Sequence, residues 1–106
     1  MVTLRDIERV AHRIAEEVRA ERVILFGSHA RGAADEQSDV DLLVVAESDE
    51  PPFKRSRTIY KLFRPHPFAM DVIVYTPEEL EEQAKTPLSF AATVLREGKV
   101  VYDRRK

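Results

Sequence analysis

Leu4, Ile7, Val10, Ala11, Ile14 and Val18 recur at helical spacing, which predicts an amphipathic helix over about Leu4–Ala20 with one face on a core. Thr3 precedes it as a capping residue, and Asp6 sits in its first turn. Arg22–Phe26 is a short β-branched apolar run that stops at Gly27, the signature of a buried strand. Ser28–Gln37 turns small and polar, with Ser28–Arg31 expected to form a short helical turn. Val40–Ala46 is a second strand, followed by a loop over Ser48–Pro52. Phe53–Phe63 alternates with helical spacing: Phe53, Ser56, Ile59, Tyr60 and Phe63 on one side, Lys54, Arg57, Lys61 and Arg64 on the other. Pro65-His66-Pro67 ends that helix.

Phe68–Tyr75 is the third strand. Thr76-Pro77-Glu78-Glu79 combines a capping Thr, a proline at the first helical position and a Glu at the third, so a helix is expected to about Ala84. Pro87 opens another over Leu88–Glu97, with Gly98 as a left-handed cap, and Phe90, Val94 and Leu95 in its core face. Lys99–Tyr102 forms a short edge strand. Arg104–Lys106 is expected to fray. Strands and helices alternate without repeats or linkers, which predicts an α/β (α+β) fold: a small mixed β-sheet flanked by helices. The whole span 1–106 is expected to be one domain.

Composition narrows the chemistry. There is no cysteine, so thiolate metal sites, disulfides and cysteine nucleophiles are excluded. The charged fraction is 34% but the net charge is only −2. No global basic excess points to nucleic acid as the main partner, and any phosphate-binding charge must be local. The amphipathic, arginine-bearing start lacks a signal-peptide pattern. No apolar run reaches the roughly 18 residues a membrane span needs. A cytoplasmic protein that does not engage membranes is expected.

Candidate chemistry lies in Gly27-Ser28-His29-Ala30-Arg31-Gly32 and Ser38-Asp39-Val40-Asp41-Leu42-Leu43-Val44-Val45. Two of the three glycines of the chain bracket the first stretch. Gly27 at a strand end lets backbone amides approach a ligand, and Ser28 adds a hydroxyl donor. Arg31 can reach a phosphate or brace the loop against a carboxylate. Asp39 and Asp41 are two apart on a strand and therefore leave the same face. At a separation of about 4 Å and an effective dielectric near 20 their repulsion is roughly 4 kcal/mol. A divalent ion between them converts that repulsion into a binding site, and hard oxygen donors suit Mg²⁺ or Mn²⁺.

Only 11 residues separate Gly27 from Asp39. That is short for a parallel crossover and favours an antiparallel return, placing Gly27-Ser28 beside the two aspartates. Asp71 begins the third strand, in Phe68-Ala69-Met70-Asp71-Val72-Ile73-Val74-Tyr75. The segment Glu47–Pro67 is long enough for a right-handed parallel crossover, which brings Asp71 alongside. Three carboxylates and an anion-binding turn at one end of a sheet describe a two-metal phosphoryl-transfer site. His12 and His66 read as surface residues, and His29 sits inside the motif.

Together these residues resemble the DNA polymerase beta-like nucleotidyltransferase superfamily, and the chain looks most like its minimal nucleotidyltransferases. The resemblance extends through Thr76-Pro77-Glu78-Glu79-Leu80 to Glu97-Gly98-Lys99-Val100-Val101-Tyr102. It implies that Gly27 and Ser28 contact a triphosphate, with Arg31 matching the same pattern. It further implies that Asp39 and Asp41 bridge two Mg²⁺ ions, and that Asp71 holds one of them and helps activate the attacking hydroxyl. A nucleoside monophosphate, AMP from ATP, would then pass to an acceptor. Members of this group often pair, as antitoxins, with small helical HEPN-domain toxins, and transfer to a toxin tyrosine is the acceptor this implies. Two other readings stay open from the residues alone: a non-catalytic antitoxin acting by complex formation, and transfer to a small molecule or an RNA end. The loop Ala33–Gln37 carries Asp35 and Glu36 but no cation, so it adds nothing to phosphate neutralisation.

Overall fold

The computed structural model describes residues 1–106. Helix α1 (Leu4–Val18) is opened by a reciprocal capping box between Thr3 and Asp6, which satisfies two otherwise orphaned amides. It ends sooner than its periodicity suggests, because Arg19 turns left-handed at φ 54°. Ile7, Val10, Ala11, Ile14 and Ala15 form its buried face.

Strand β1 (Arg22–Phe26) leads into the four-residue helix α2 (Ser28–Arg31). Strand β2 (Val40–Val45) follows, then a 3-10 turn over Pro52–Lys54 and helix α3 (Arg57–Leu62). The chain continues through β3 (Met70–Tyr75), α4 (Pro77–Ala84), α5 (Phe90–Glu97) and β4 (Lys99–Asp103).

The four strands form one sheet in the order β3-β2-β1-β4. β1 runs antiparallel to both β2 and β4, and β2 runs parallel to β3. The expected mixed sheet, the antiparallel return and the parallel crossover are all present. Apolar side chains alternate across both faces. On one face Val23, Leu25, Leu42, Val44, Val72 and Val74 pack beneath α1 and α3. On the other Ile24, Leu43 and Val45 meet Leu80 of α4 and Ala91 and Val94 of α5. A sheet buried on both faces explains why β2 reads as a nearly unbroken apolar run.

Several expectations are corrected. Phe53–Phe63 is not one helix: the 3-10 turn and α3 are separate, and Phe53 is 73% exposed. Helical spacing persisted across the break because Ile59 and Phe63 still face the core. Gly98 is not left-handed; it is extended at φ −78°, ψ 168°. Its lack of a side chain serves packing instead. A Cβ there would sit 2.6 Å from both Ile24 Cγ2 and the Val94 carbonyl oxygen, and 2.9 Å from the Leu25 carbonyl oxygen. Helix α5 starts at Phe90, capped by Ser89, rather than at Leu88. Phe90 and Leu95 are partly exposed, at 43% and 39%, and Val94 alone of the three is buried. The tail is held: the Arg104 amide donates to the Glu21 carbonyl at 2.9 Å.

One tie was invisible to pattern reading. The Arg55 guanidinium is buried, makes two hydrogen bonds to the Glu79 carboxylate, and donates to the Glu50 and Val74 carbonyls. It joins the crossover, β3 and α4 at one point. Glu79 also closes the capping box with Thr76. The Arg55 hydrogen bonds, then the Thr76 amide, hold the Glu79 carboxyl at about 2.

Candidate active site

Strand register determines the arrangement. Phe26 of β1 pairs with Asp41 of β2, and Asp41 pairs with Asp71 of β3. Directly paired residues point to the same face, so these three side chains form one row across the sheet. The next row is Ile24, Leu43 and Ile73. The row therefore lies on the α4/α5 face, at the end those helices leave uncovered. Asp39 precedes β2 and is exposed, as is Asp71; Asp41 is partly buried.

The phosphate-binding candidate abuts this row. Gly27 follows Phe26 directly and has φ 75°, a conformation that strains any residue with a side chain. A Cβ at Gly27 would fall onto the Asp41 carboxylate. Backbone and carboxylate are thus in contact only because position 27 has no side chain. Ser28 then begins α2, whose opening amides have no intrahelical acceptor. The Ala30 and Arg31 amides donate back to the Gly27 carbonyl, and Gly32 closes the turn at φ 70°.

Electrostatics single out Asp41. Its carboxyl is pushed above the ordinary aspartate value, first by burial, then by the Asp71 and Asp39 carboxylates; His29 and Arg31 pull it back down. None of the three aspartates takes part in an ion pair. Arg31 is exposed and acts on Asp41 only at a distance.

A divalent cation fits this donor set. Asp41 and Asp71 adjoin in register and Asp39 lies two residues before Asp41; the most buried of these hard carboxylates is disfavoured when ionised, and none of the three is in an ion pair. As they stand, the side chains do not form a group of three close enough to hold a metal ion. Asp39 and Asp71 are the exposed members of the set.

Two neighbours were not anticipated. His29 Nε2 donates to the Ser38 carbonyl at 3.3 Å, tying α2 to the residue before Asp39. That loop is closed on itself by Asp35 and Ser38. Phe90 meets Phe26 edge-to-face at 5.3 Å and leans on Tyr75 at 6.4 Å. Beside Gly27, Ala30 and Arg31 this pair lines a cleft of about 110 Å³. Helical spacing had marked Phe90 as core; the signal for its place here was the register neighbour Phe26. A larger cavity of about 650 Å³ lies by the start of α1, between Asp6, Arg9, Ser38 and Phe68. It contains none of the three aspartates.

Comparison with known proteins bears on the family and the fold. Residues 7–102 match the family model described as nucleotidyltransferase domain. Two proteins of Methanocaldococcus jannaschii are similar. "Putative protein adenylyltransferase MJ0604" is 37% identical over 84 residues, covering 79% of this chain and 80% of that protein. "Putative protein adenylyltransferase MJ0141" is 39% identical over 56 residues, covering 53% of this chain and 56% of that protein. The chain thus spans little more than half the length of the second relative. Among solved structures, a putative nucleotidyltransferase from Sulfolobus solfataricus superposes with a TM-score of 0.68 at 23% identity, covering 97% of this chain and 82% of that one. A toxin-antitoxin structure with AMP-PNP superposes with a TM-score of 0.63 at 19% identity, covering 92% of this chain and 74% of that one. At these identities the two structures bear on the fold.

Proposed function

Because the chain belongs to the nucleotidyltransferase domain family, whose relatives here are named as protein adenylyltransferases, we propose that residues 1–106 act as one minimal nucleotidyltransferase domain. It transfers AMP from ATP to a hydroxyl, a tyrosine of a small helical HEPN-type partner, and so serves as the antitoxin of a pair. The observation that carries the transfer chemistry is the Phe26–Asp41–Asp71 row with Gly27 seated against Asp41. The partner reading draws support from the toxin-antitoxin neighbour with AMP-PNP.

Each residue has a separate task. Gly27 and Ser28 bind the triphosphate through backbone amides and a hydroxyl donor. Arg31, exposed beside them, offers a charge to the same phosphates. Asp39 and Asp41 would hold Mg²⁺, with Mn²⁺ as the alternative, and Asp71 would contribute to the same site. Such ions, when bound, neutralise phosphate charge and orient the transferred group. Asp71, on the edge strand, would orient the incoming hydroxyl and accept its proton. Asp41 favours cation binding most, since its ionised form is otherwise opposed by burial and two carboxylates.

Co-expression separates this from neutralisation by complex formation alone. Wild-type chain should restore growth of cells producing the product of a neighbouring helical gene, and that product should carry AMP on a tyrosine. Full neutralisation by an Asp39→Asn, Asp41→Asn double variant would contradict the catalytic reading.

A further inference from the structure

Charge is distributed unevenly along this chain. The crossover 51–67 contains Lys54, Arg55, Arg57, Lys61 and Arg64 and no acidic residue, a net +5 within a chain of net −2. The remaining residues therefore carry −7. Arg55 is consumed by Glu79. The other four are exposed and take part in no ion pair. A solvated helix face usually mixes signs; this one does not.

The position of the cations matters as much as their number. The Tyr60 hydroxyl accepts a hydrogen bond from the Val72 amide at 2.8 Å. Helix α3 is thereby fastened to the free edge of β3, one residue from Asp71. Next to it is a groove of about 350 Å³ lined by Pro52, Phe53, Ser56, Ile73, Tyr75 and Gln83. Phe53 is 73% exposed and Ile73 37%. Ile73 shares the face of Asp71, two residues along the same strand. Apolar contact area thus lies along the edge of the strand that carries Asp71, and the free cations belong to the adjoining segment 54–64 rather than to the groove's own lining, with Lys54 Nζ 5.8 Å from the Phe53 ring.

We propose that this flank is the docking surface for the acceptor, and that the acceptor is a protein segment combining carboxylates with apolar side chains. Arg57, Lys61 and Lys54 meet the carboxylates, and Phe53 and Ile73 take the apolar positions. A nucleic acid fits less well. On its α4 side the groove is lined by Gln83 and by Glu79, which is already paired with Arg55, and its other walls include Phe53, Ile73 and Tyr75. A continuous polyanion gains nothing from those apolar walls, whereas a protein segment can place apolar side chains in the groove and its acidic residues against Lys54, Arg57 and Lys61. The proposal rests on the reading of Asp71 as the residue on the acceptor side of the site.

Binding can be measured without nucleotide, so it is separable from catalysis. The probe is a fluorescein-labelled synthetic peptide in which one tyrosine is flanked on both sides by Glu-Leu-Glu. A Lys-for-Glu counterpart and a ten-nucleotide oligouridine serve as controls. Fluorescence anisotropy at low salt should show saturable binding of the acidic peptide, with neither control binding comparably. Arg57→Glu with Lys61→Glu should weaken it at least tenfold with unchanged thermal midpoint, and Phe53→Ser should weaken it several-fold. No binding of the acidic peptide, binding indifferent to Arg57→Glu and Lys61→Glu, or preferential binding of oligouridine would each overturn the proposal. Failure of AMP transfer alongside peptide binding would count against the catalytic reading and leave the surface standing.

Discussion

Asp41 and Asp71 are direct register partners on the parallel strands β2 and β3, so two carboxylates stand side by side on one face of the sheet. Folding brings them together even though burial and charge oppose it. Such an arrangement costs stability and is retained where the site needs it.

The first expectation follows from that cost. In the absence of divalent metal, Asp41→Asn should raise the stability of the folded chain by about 1 kcal/mol, a rise in thermal midpoint of about 4–8 °C for a domain of this size. Mg²⁺ or Mn²⁺ should stabilise the wild type and leave the variant nearly unmoved. Calorimetry with and without metal reads both effects. A variant less stable than wild type would show that Asp41 is structural.

Gly27→Ala should be damaging for two independent reasons. The residue has φ 75°, and its Cβ would collide with the Asp41 carboxylate. A loss of about 1–3 kcal/mol is expected, with nucleotide transfer falling below detection. Gly32→Ala is the control: φ is 70°, yet nothing lies within 4 Å of its Cβ. It should cost about 1 kcal/mol from backbone strain alone and leave activity measurable.

Arg55→Ala tests the tie that joins crossover, β3 and α4. Breaking a buried ion pair costs about 3–5 kcal/mol. The Glu79 side chain is 35% exposed, so a smaller loss of about 1–3 kcal/mol is expected once solvent screening is allowed for. The pH dependence has a definite sign. Glu79 is depressed from 4.5 to about 2, so its contribution is complete above the ordinary value and disappears as pH falls through about 2. Urea unfolding between pH 5 and pH 2 (a range of roughly three units spanning both values) should show a falling stability in wild type and a flatter profile in Arg55→Ala. Parallel profiles would mean the pair contributes little.

Gly98→Ala tests the packing reading of that glycine. With Ile24 Cγ2 and the Val94 carbonyl oxygen each 2.6 Å from the added carbon, overpacking should cost about 1–3 kcal/mol, read from chemical denaturation. A left-handed cap would give a comparable loss from strain alone. The distinguishing variant is Gly98→Ala with Ile24→Leu, which removes the γ2 methyl: partial recovery is expected only if the contact is the cause.

Much of this molecule was legible in its residues, and the reasons are specific. Thr3-x-x-Asp6 and Thr76-x-x-Glu79 announce their helices because the capping chemistry is local. β1 and β2 stand out because both faces are buried, β3 because its valines recur on its buried face, and the short Gly27–Asp39 connection implies the antiparallel return. Asp39 and Asp41 could be paired from their spacing, and the crossover length sufficed to bring Asp71 to Asp41.

What escaped depends on contacts between distant segments. Nothing near Arg55 in sequence points to Glu79, and its buried state is visible only once β3 and α4 are in place. His29 meets Ser38 across a loop whose closure is set by Asp35. Phe90 and Leu95 have helical spacing suited to a core, yet α5 covers only part of the sheet and leaves them half out. Phe53 kept the helical register although a 3-10 turn separates it from α3.

The central claim is that the Asp39, Asp41 and Asp71 constellation transfers AMP. Incubating the chain with α-labelled ATP, Mg²⁺ and a small helical HEPN-type protein as the proposed partner, while following pyrophosphate release and label on protein, tests it most directly. Wild-type chain should release pyrophosphate in step with labelling of the partner, and Asp41→Asn and Asp71→Asn should each reduce both by at least about a hundredfold, the scale of removing one preorganised catalytic group. No label and no pyrophosphate from wild type, or equal labelling by Asp41→Asn, would contradict it.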